Sequence, residues 1–224
     1  MNEHTRGADT QPWFKSRFLH LIVTILAMIL VAPHLQGFVG IRLLLDIFFS
    51  VIFIAGIYAV SKKKSQLLLA VLFAVPMILS LWAKYILVGS SIIIVGRIFG
   101  ILFIGFVIFH IVQFVYRAED ITKEVIFAAI VIYLLLAVMW AFIYSILELL
   151  QPGSFNFASS KIQEAKLIFL YYSFVTITTL GYGDITPLTE KATSLAILEA
   201  IIGQIYLVVV VAWLVGMHVS RKSK

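Results

Sequence analysis

Seven apolar runs, at residues 18–35, 41–60, 67–87, 92–116, 125–149, 165–178 and 192–219, decide what solvent this chain must fold in. Six of them reach the roughly 20 residues needed to cross about 30 Å of hydrocarbon. The chain is 62% hydrophobic and only 12% charged, with a mean hydropathy of +1.08, whereas a soluble domain carries about one quarter charged residues. The expectation is an all-α membrane protein with six transmembrane helices, since a spanning backbone must satisfy its own polar groups.

The basic residues set a direction. Arg6, Lys15 and Arg17 precede the first run, Lys62, Lys63 and Lys64 follow the second, Arg117 and Lys123 lie between the fourth and fifth, and Arg221, Lys222 and Lys224 follow the last. All four groups fall on one side of a six-span arrangement, and Lys and Arg collect in cytoplasmic loops. Both termini are therefore expected in the cytoplasm of a multi-pass protein of the plasma membrane. The first run is too long for a secretory signal, with Pro33 and His34 where small cleavage-site residues belong. The net charge of +6 suits cytoplasmic edges facing anionic lipid rather than nucleic acid, which needs a basic soluble face. There are no cysteines, and His20, His34, His110 and His218 lack ligand spacing, so thiol chemistry and a histidine metal site are not expected.

The sixth run, 165–178, is too short to span and leads into Thr176-Ile-Thr-Thr-Leu-Gly-Tyr-Gly-Asp184. This stretch resembles the selectivity filter of potassium channels. The resemblance covers about 100 residues, from the fifth run through the last, and points to a bacterial-type six-transmembrane, one-pore potassium channel. It implies a re-entrant pore helix whose partially negative C-terminal end favours a cation, a filter loop, and a homotetramer, because one chain carries one filter stretch. The carbonyls of Thr179, Leu180, Gly181 and Tyr182, with the Thr179 hydroxyl, would replace the hydration shell of K⁺, the permeant ion and the only bound species implied. Such stacking requires alternate residues in left-handed conformations, which Gly181 and Gly183 permit.

In that resemblance Thr176, Thr178, Tyr171, Tyr172 and Asp184 support the filter. Tyr172 is the better placed of the two tyrosines to donate to Asp184. Val175 stands where some relatives carry a glutamate that pairs with this aspartate, which leaves inactivation open. Gly203 falls at an inner-helix glycine, readable as a hinge or as a close-packing site. Gln204, Leu207, Val211 and Val215 follow on one helical face and would line the cavity and gate. Glu199, one turn before Gly203, is an ionisable group in a membrane helix and hence a functional candidate. Two readings stand for it: a charge acting on the cavity or coupling the inner helix to the pore helix, with Thr176 or Thr178 as partner, or a structural carboxyl.

The domain plan is a cytoplasmic segment 1–17, a voltage-sensor-like bundle 18–117, a pore domain 118–219 and a tail 220–224. The fourth run holds one basic residue, Arg97, where steep gating takes 3 to 4 charges at about 2.3 kcal/mol each per 100 mV. Strong voltage gating is therefore not expected. Arg97 and Asp46, at similar depth, are expected to form an intramembrane pair, while Arg42 and Lys84 snorkel. No regulatory ligand-binding domain is expected after residue 219, no enzyme chemistry has its residues here, and no nucleic-acid partner is implied beside lipid and further copies of the chain. A nonselective cation channel, a non-conducting tetrameric scaffold and a potassium-uptake subunit remain as alternatives, the last weakened by the single intact filter.

Overall fold

The structure, a computed structural model, describes residues 17–34, 40–60, 63–83, 85–86, 89–158 and 165–222. Arg6, Lys15, Lys62, Lys84 and Lys224, used above for orientation and snorkelling, lie outside them. Seven helices follow one another: α1 (Arg17–His34), α2 (Ile41–Val60), α3 (Lys64–Ala83), α4 (Ser90–Tyr116), α5 (Lys123–Leu150), α6 (Ala165–Ile177) and α7 (Glu190–Lys222). Each falls on one of the seven apolar runs.

Five of them, α2 to α5 and α7, are long and apolar enough to cross a membrane. The expectation of six spans of that length is met by five among the described residues; the apolar parts of α1 (Arg17–Val31) and α6 (Ile168–Ile177) are shorter. The 18 residues of α1 reach about 27 Å at 1.5 Å per residue.

Caps mark where the apolar runs become helices. Thr122 accepts from the Val125 amide at the start of α5, with Glu124 in its first turn, and the Thr189 hydroxyl accepts from the Ala192 amide at the start of α7. Helix α5 is the hub, packing on α1 and α4 on one side and on α6 and α7 on the other. Helix α4 meets its neighbours through small residues. A Cβ on Gly96 would fall 1.8 Å from the Ser80 hydroxyl of α3, and one on Gly100 would fall 2.9 Å from the Phe142 ring of α5.

The structure also holds a feature the all-helical reading lacks. Strands β1 (Phe155–Phe157) and β2 (Ile185–Pro187) pair antiparallel, with Asn156 opposite Thr186. One precedes α6 and the other follows the Gly-Tyr-Gly stretch, so the chain entering α6 and the chain leaving the loop after it are tied together. The Ala158 amide donates to the Asp184 carbonyl at 2.9 Å and the Leu188 amide to the Ser154 carbonyl at 2.8 Å, closing the ribbon at both ends. Glu148, at the end of α5, accepts from the Gly153 and Ser154 amides and shapes the turn into β1.

Candidate functional site: the filter loop and its scaffold

Helix α6 ends by folding the following chain back over its own last turn. The Leu180 and Gly181 amides both donate to the Val175 carbonyl, at 2.9 and 3.2 Å, and the Thr179 amide donates to Thr176 at 2.9 Å. These bonds satisfy carbonyls that a helix end leaves open. From there the backbone alternates: Thr179 (φ 57°), Gly181 (φ 57°) and Gly183 (φ 77°) are left-handed, while Leu180 and Tyr182 are not. The two glycines match the expectation. Thr179 adds a third such position that no glycine announces, at a cost of about 1 kcal/mol for an L-residue. Residues 178–183 are all exposed in the single chain, Tyr182 by 66%.

Asp184 is held from behind by Tyr171, whose hydroxyl donates to Oδ2 at 2.7 Å; Oδ1 accepts from the Ile185 amide. The sequence reading assigned this bond to Tyr172. Adjacent residues on a helix point about 100° apart, and Tyr172 faces α5 and β1, where its ring packs 5.0 Å from Tyr144 of α5 and 5.4 Å from Phe155 of β1. The two tyrosines thus divide the work: Tyr171 fixes the loop, Tyr172 the helix.

Glu199 is fully buried between three helices. Its Oε1 lies 2.5 Å from the Ser173 hydroxyl of α6 and its Oε2 2.5 Å from the Tyr144 hydroxyl of α5. The expected partners are otherwise engaged, since Thr176 and Thr178 donate back to the Tyr172 and Phe174 carbonyls, a habit of hydroxyls inside helices. Ser173 also reaches the Ala137 carbonyl at 2.7 Å.

One turn on, Gly203 touches the end of α6. A Cβ there would fall 2.6 Å from the Ile177 carbonyl oxygen, which supports the packing reading of this glycine. That same oxygen accepts from Tyr133 of α5 at 3.1 Å, and Tyr206 of α7 donates to the Ala129 carbonyl at 2.6 Å. These bonds, with those of Tyr144 to Glu199 and of Ser173 to the Ala137 carbonyl, fasten α6 and α7 to α5. Sequence reasoning missed Ser173, Tyr144, Tyr133 and Tyr206; polar atoms inside otherwise apolar helices were the available signal.

Gln204, Leu207, Val211 and Val215 share an exposed face of α7. Arg97 and Asp46 do not pair. Arg97 donates to the Ser145 carbonyl of α5 at 3.1 Å, and Asp46 accepts from Tyr85 at 2.8 Å. Packing Gly96 and Gly100 against α3 and α5 turns Arg97 toward α5.

Residues 120–219, spanning the turn before α5 through most of α7, match the model of a protein family described as Ion channel. The match supports an ion channel, a class without enzymes, and with the apolar helices it points to a multi-pass membrane protein. No curated protein and no solved structure matches the chain.

Proposed function

We propose that four copies of this chain surround one pore and pass K⁺ selectively and passively, without strong voltage gating. The observation carrying this reading is the left-handed alternation at Thr179, Gly181 and Gly183 directly after a short helix. Alternation turns successive carbonyls toward one side of the strand, the arrangement that replaces the hydration shell of K⁺. The coordinating set is Thr179, Leu180, Gly181, Tyr182 and Gly183, supported by Thr176, Thr178, Tyr171, Tyr172 and Asp184.

In this reading α6 is the re-entrant pore helix, α7 the inner helix, and Gln204, Leu207, Val211 and Val215 line the cavity and gate. Exposure of residues 178–183 in the lone chain fits a loop that neighbouring copies complete. Helices α1 to α4 form the peripheral bundle, both termini are cytoplasmic, and the location is the plasma membrane. The single basic residue of α4, Arg97, bonded to α5 rather than arrayed with others, fits weak voltage dependence.

The test is reversal potential in liposomes holding the purified protein. With a tenfold K⁺ gradient against Na⁺, current should reverse near the K⁺ equilibrium value of about 59 mV for a one-electron-charge ion. Reversal near zero in opposed K⁺ and Na⁺ rejects selectivity, and absence of current rejects a channel.

A further inference from the structure

A second polar site lies away from the filter, inside the bundle of α2, α3, α4 and α5. It is a cavity of about 70 Å³ whose walls are mostly apolar, Phe49, Met77, Leu81 and Phe142 among them. Arg97 and Ser145 are its polar exceptions together with Ser80, whose hydrogen is spent on the Met77 carbonyl.

Arg97 is only 8% exposed, and among the described residues its guanidinium makes one hydrogen bond, Nη1 to the Ser145 carbonyl. A guanidinium has five N–H donors and holds its proton. The Ser145 hydroxyl is buried, at 3% residue exposure, and has no hydrogen-bond partner, a rare state for a buried polar group. Among the described residues no carboxylate lines the cavity, and Asp46 accepts from Tyr85.

A full positive charge in a membrane-embedded interior is strongly disfavoured unless compensated. Water in the cavity supplies hydrogen bonds but no charge. What the cavity lacks is one negative charge of small size that accepts from both a guanidinium and a hydroxyl.

We propose that the Arg97–Ser145 cavity is a binding site for a small monovalent anion of the chloride class, which neutralises Arg97 and braces α4 against α5. The enclosing aromatic and aliphatic walls and the small volume favour a halide over a lipid phosphate, which brings a glycerol chain with it. The anion is a structural counter-ion, independent of the permeant cation.

Equilibrium dialysis of the full-length protein in detergent, with radiolabelled chloride in gluconate buffer, tests this without any flux measurement, so it stands or falls apart from the channel reading. About one saturable chloride per chain is expected. Ser145→Ala, losing one hydrogen bond of about 1 kcal/mol, should weaken binding about fivefold, and Arg97→Gln should abolish it. Thermal unfolding gives a second reading: chloride should raise the midpoint of the native protein and leave that of Arg97→Gln unmoved. Absence of saturable chloride overturns the proposal in favour of water alone, and undiminished binding by Arg97→Gln overturns it by placing the anion elsewhere. Repeating the dialysis in nanodiscs of phosphatidylcholine or phosphatidylglycerol separates the sources of negative charge. Loss of chloride binding only with the anionic lipid would assign the site to a lipid phosphate and overturn the halide.

Discussion

Replacing Glu199 by glutamine and by leucine separates what its hydrogen bonds do from what its charge does. Glu199, Tyr144 and Ser173 are each fully buried, and the carboxyl oxygens sit 2.5 Å from both hydroxyls. In Glu199→Gln the amide oxygen can accept from Tyr144 while the amide nitrogen donates to Ser173, which in turn donates to the Ala137 carbonyl 2.7 Å away. Every polar atom keeps a partner, so the cost should stay under about 1 kcal/mol. In Glu199→Leu, Ser173 still has Ala137, but Tyr144 keeps only the Leu195 carbonyl at 3.5 Å, too long for a good O–H···O bond. A buried hydroxyl left this way costs about 1–3 kcal/mol. Adding Tyr144→Phe removes the orphan, so Tyr144→Phe/Glu199→Leu should be more stable than the sum of the single changes predicts. Thermal or denaturant unfolding of the purified assembly gives the cycle, and K⁺ conductance of Glu199→Gln should match the native protein. Additive effects, or glutamine as damaging as leucine, refute the clamp; a conductance fall in a stable Glu199→Gln assigns the charge a role in the cavity.

Three further outcomes follow from the loop and its supports. Tyr171→Phe should cost about 1–2 kcal/mol by freeing Asp184 and should alter the time course of K⁺ current, while Tyr172→Phe leaves Asp184 held at 2.7 Å and the time course unchanged. Gly203→Ala meets the Ile177 carbonyl oxygen at 2.6 Å and should lower stability by about 1–3 kcal/mol through overpacking, read as a lower unfolding midpoint. Gly181→Ala meets nothing within 4 Å in the single chain but holds φ at 57°. Its cost of about 1–2 kcal/mol is conformational and should appear mainly as lost K⁺ selectivity in the liposome assay.

Hydrophobic length made the helices legible, because in a membrane the same apolar run that must leave water must also close its own hydrogen bonds. Residues 41–60 give α2 with the same bounds, and the short run at 165–178 gives α6 ending at Ile177. The glycines of Gly-Tyr-Gly revealed two of the three left-handed positions. Thr179 was hidden because its conformation is imposed by the amide bonds back to α6 rather than by its own preference. Partner choice was less legible. Whether Tyr171 or Tyr172 meets Asp184 depends on the rotation of α6 against α5, set by Ser173, Tyr144 and Ile177 together. Arg97 and Asp46 looked paired because both are ionisable and similarly deep, but helix rotation sends one to α5 and the other to Tyr85. The ribbon of β1 and β2 escaped because three-residue strands leave no periodic signature.

The two sides of α7 carry opposite demands, and in the proposed channel their arrangement bears on how this helix can move without disturbing the loop after α6. Toward α5 and α6 it places Glu199, Gly203 and Tyr206, each making a contact of defined geometry. Away from them it exposes Ile201, Ile205, Val208, Val211 and Val215, a surface whose packing is apolar and without direction. All three directional contacts fall in the part of the helix nearer the filter loop, the last at Tyr206. From Leu207 onward, α7 makes no side-chain hydrogen bond to another helix among the described residues, and Trp213 packs its ring 6.2 Å from that of Tyr116 on α4. Bending beyond Tyr206 therefore breaks no polar bond of the scaffold, whereas bending at Gly203 drives α7 against the Ile177 carbonyl next to Thr178. Motion in the distal half leaves the support of the loop after α6 intact, because the anchored part of α7, from Glu199 to Tyr206, ends where the last of these bonds is made.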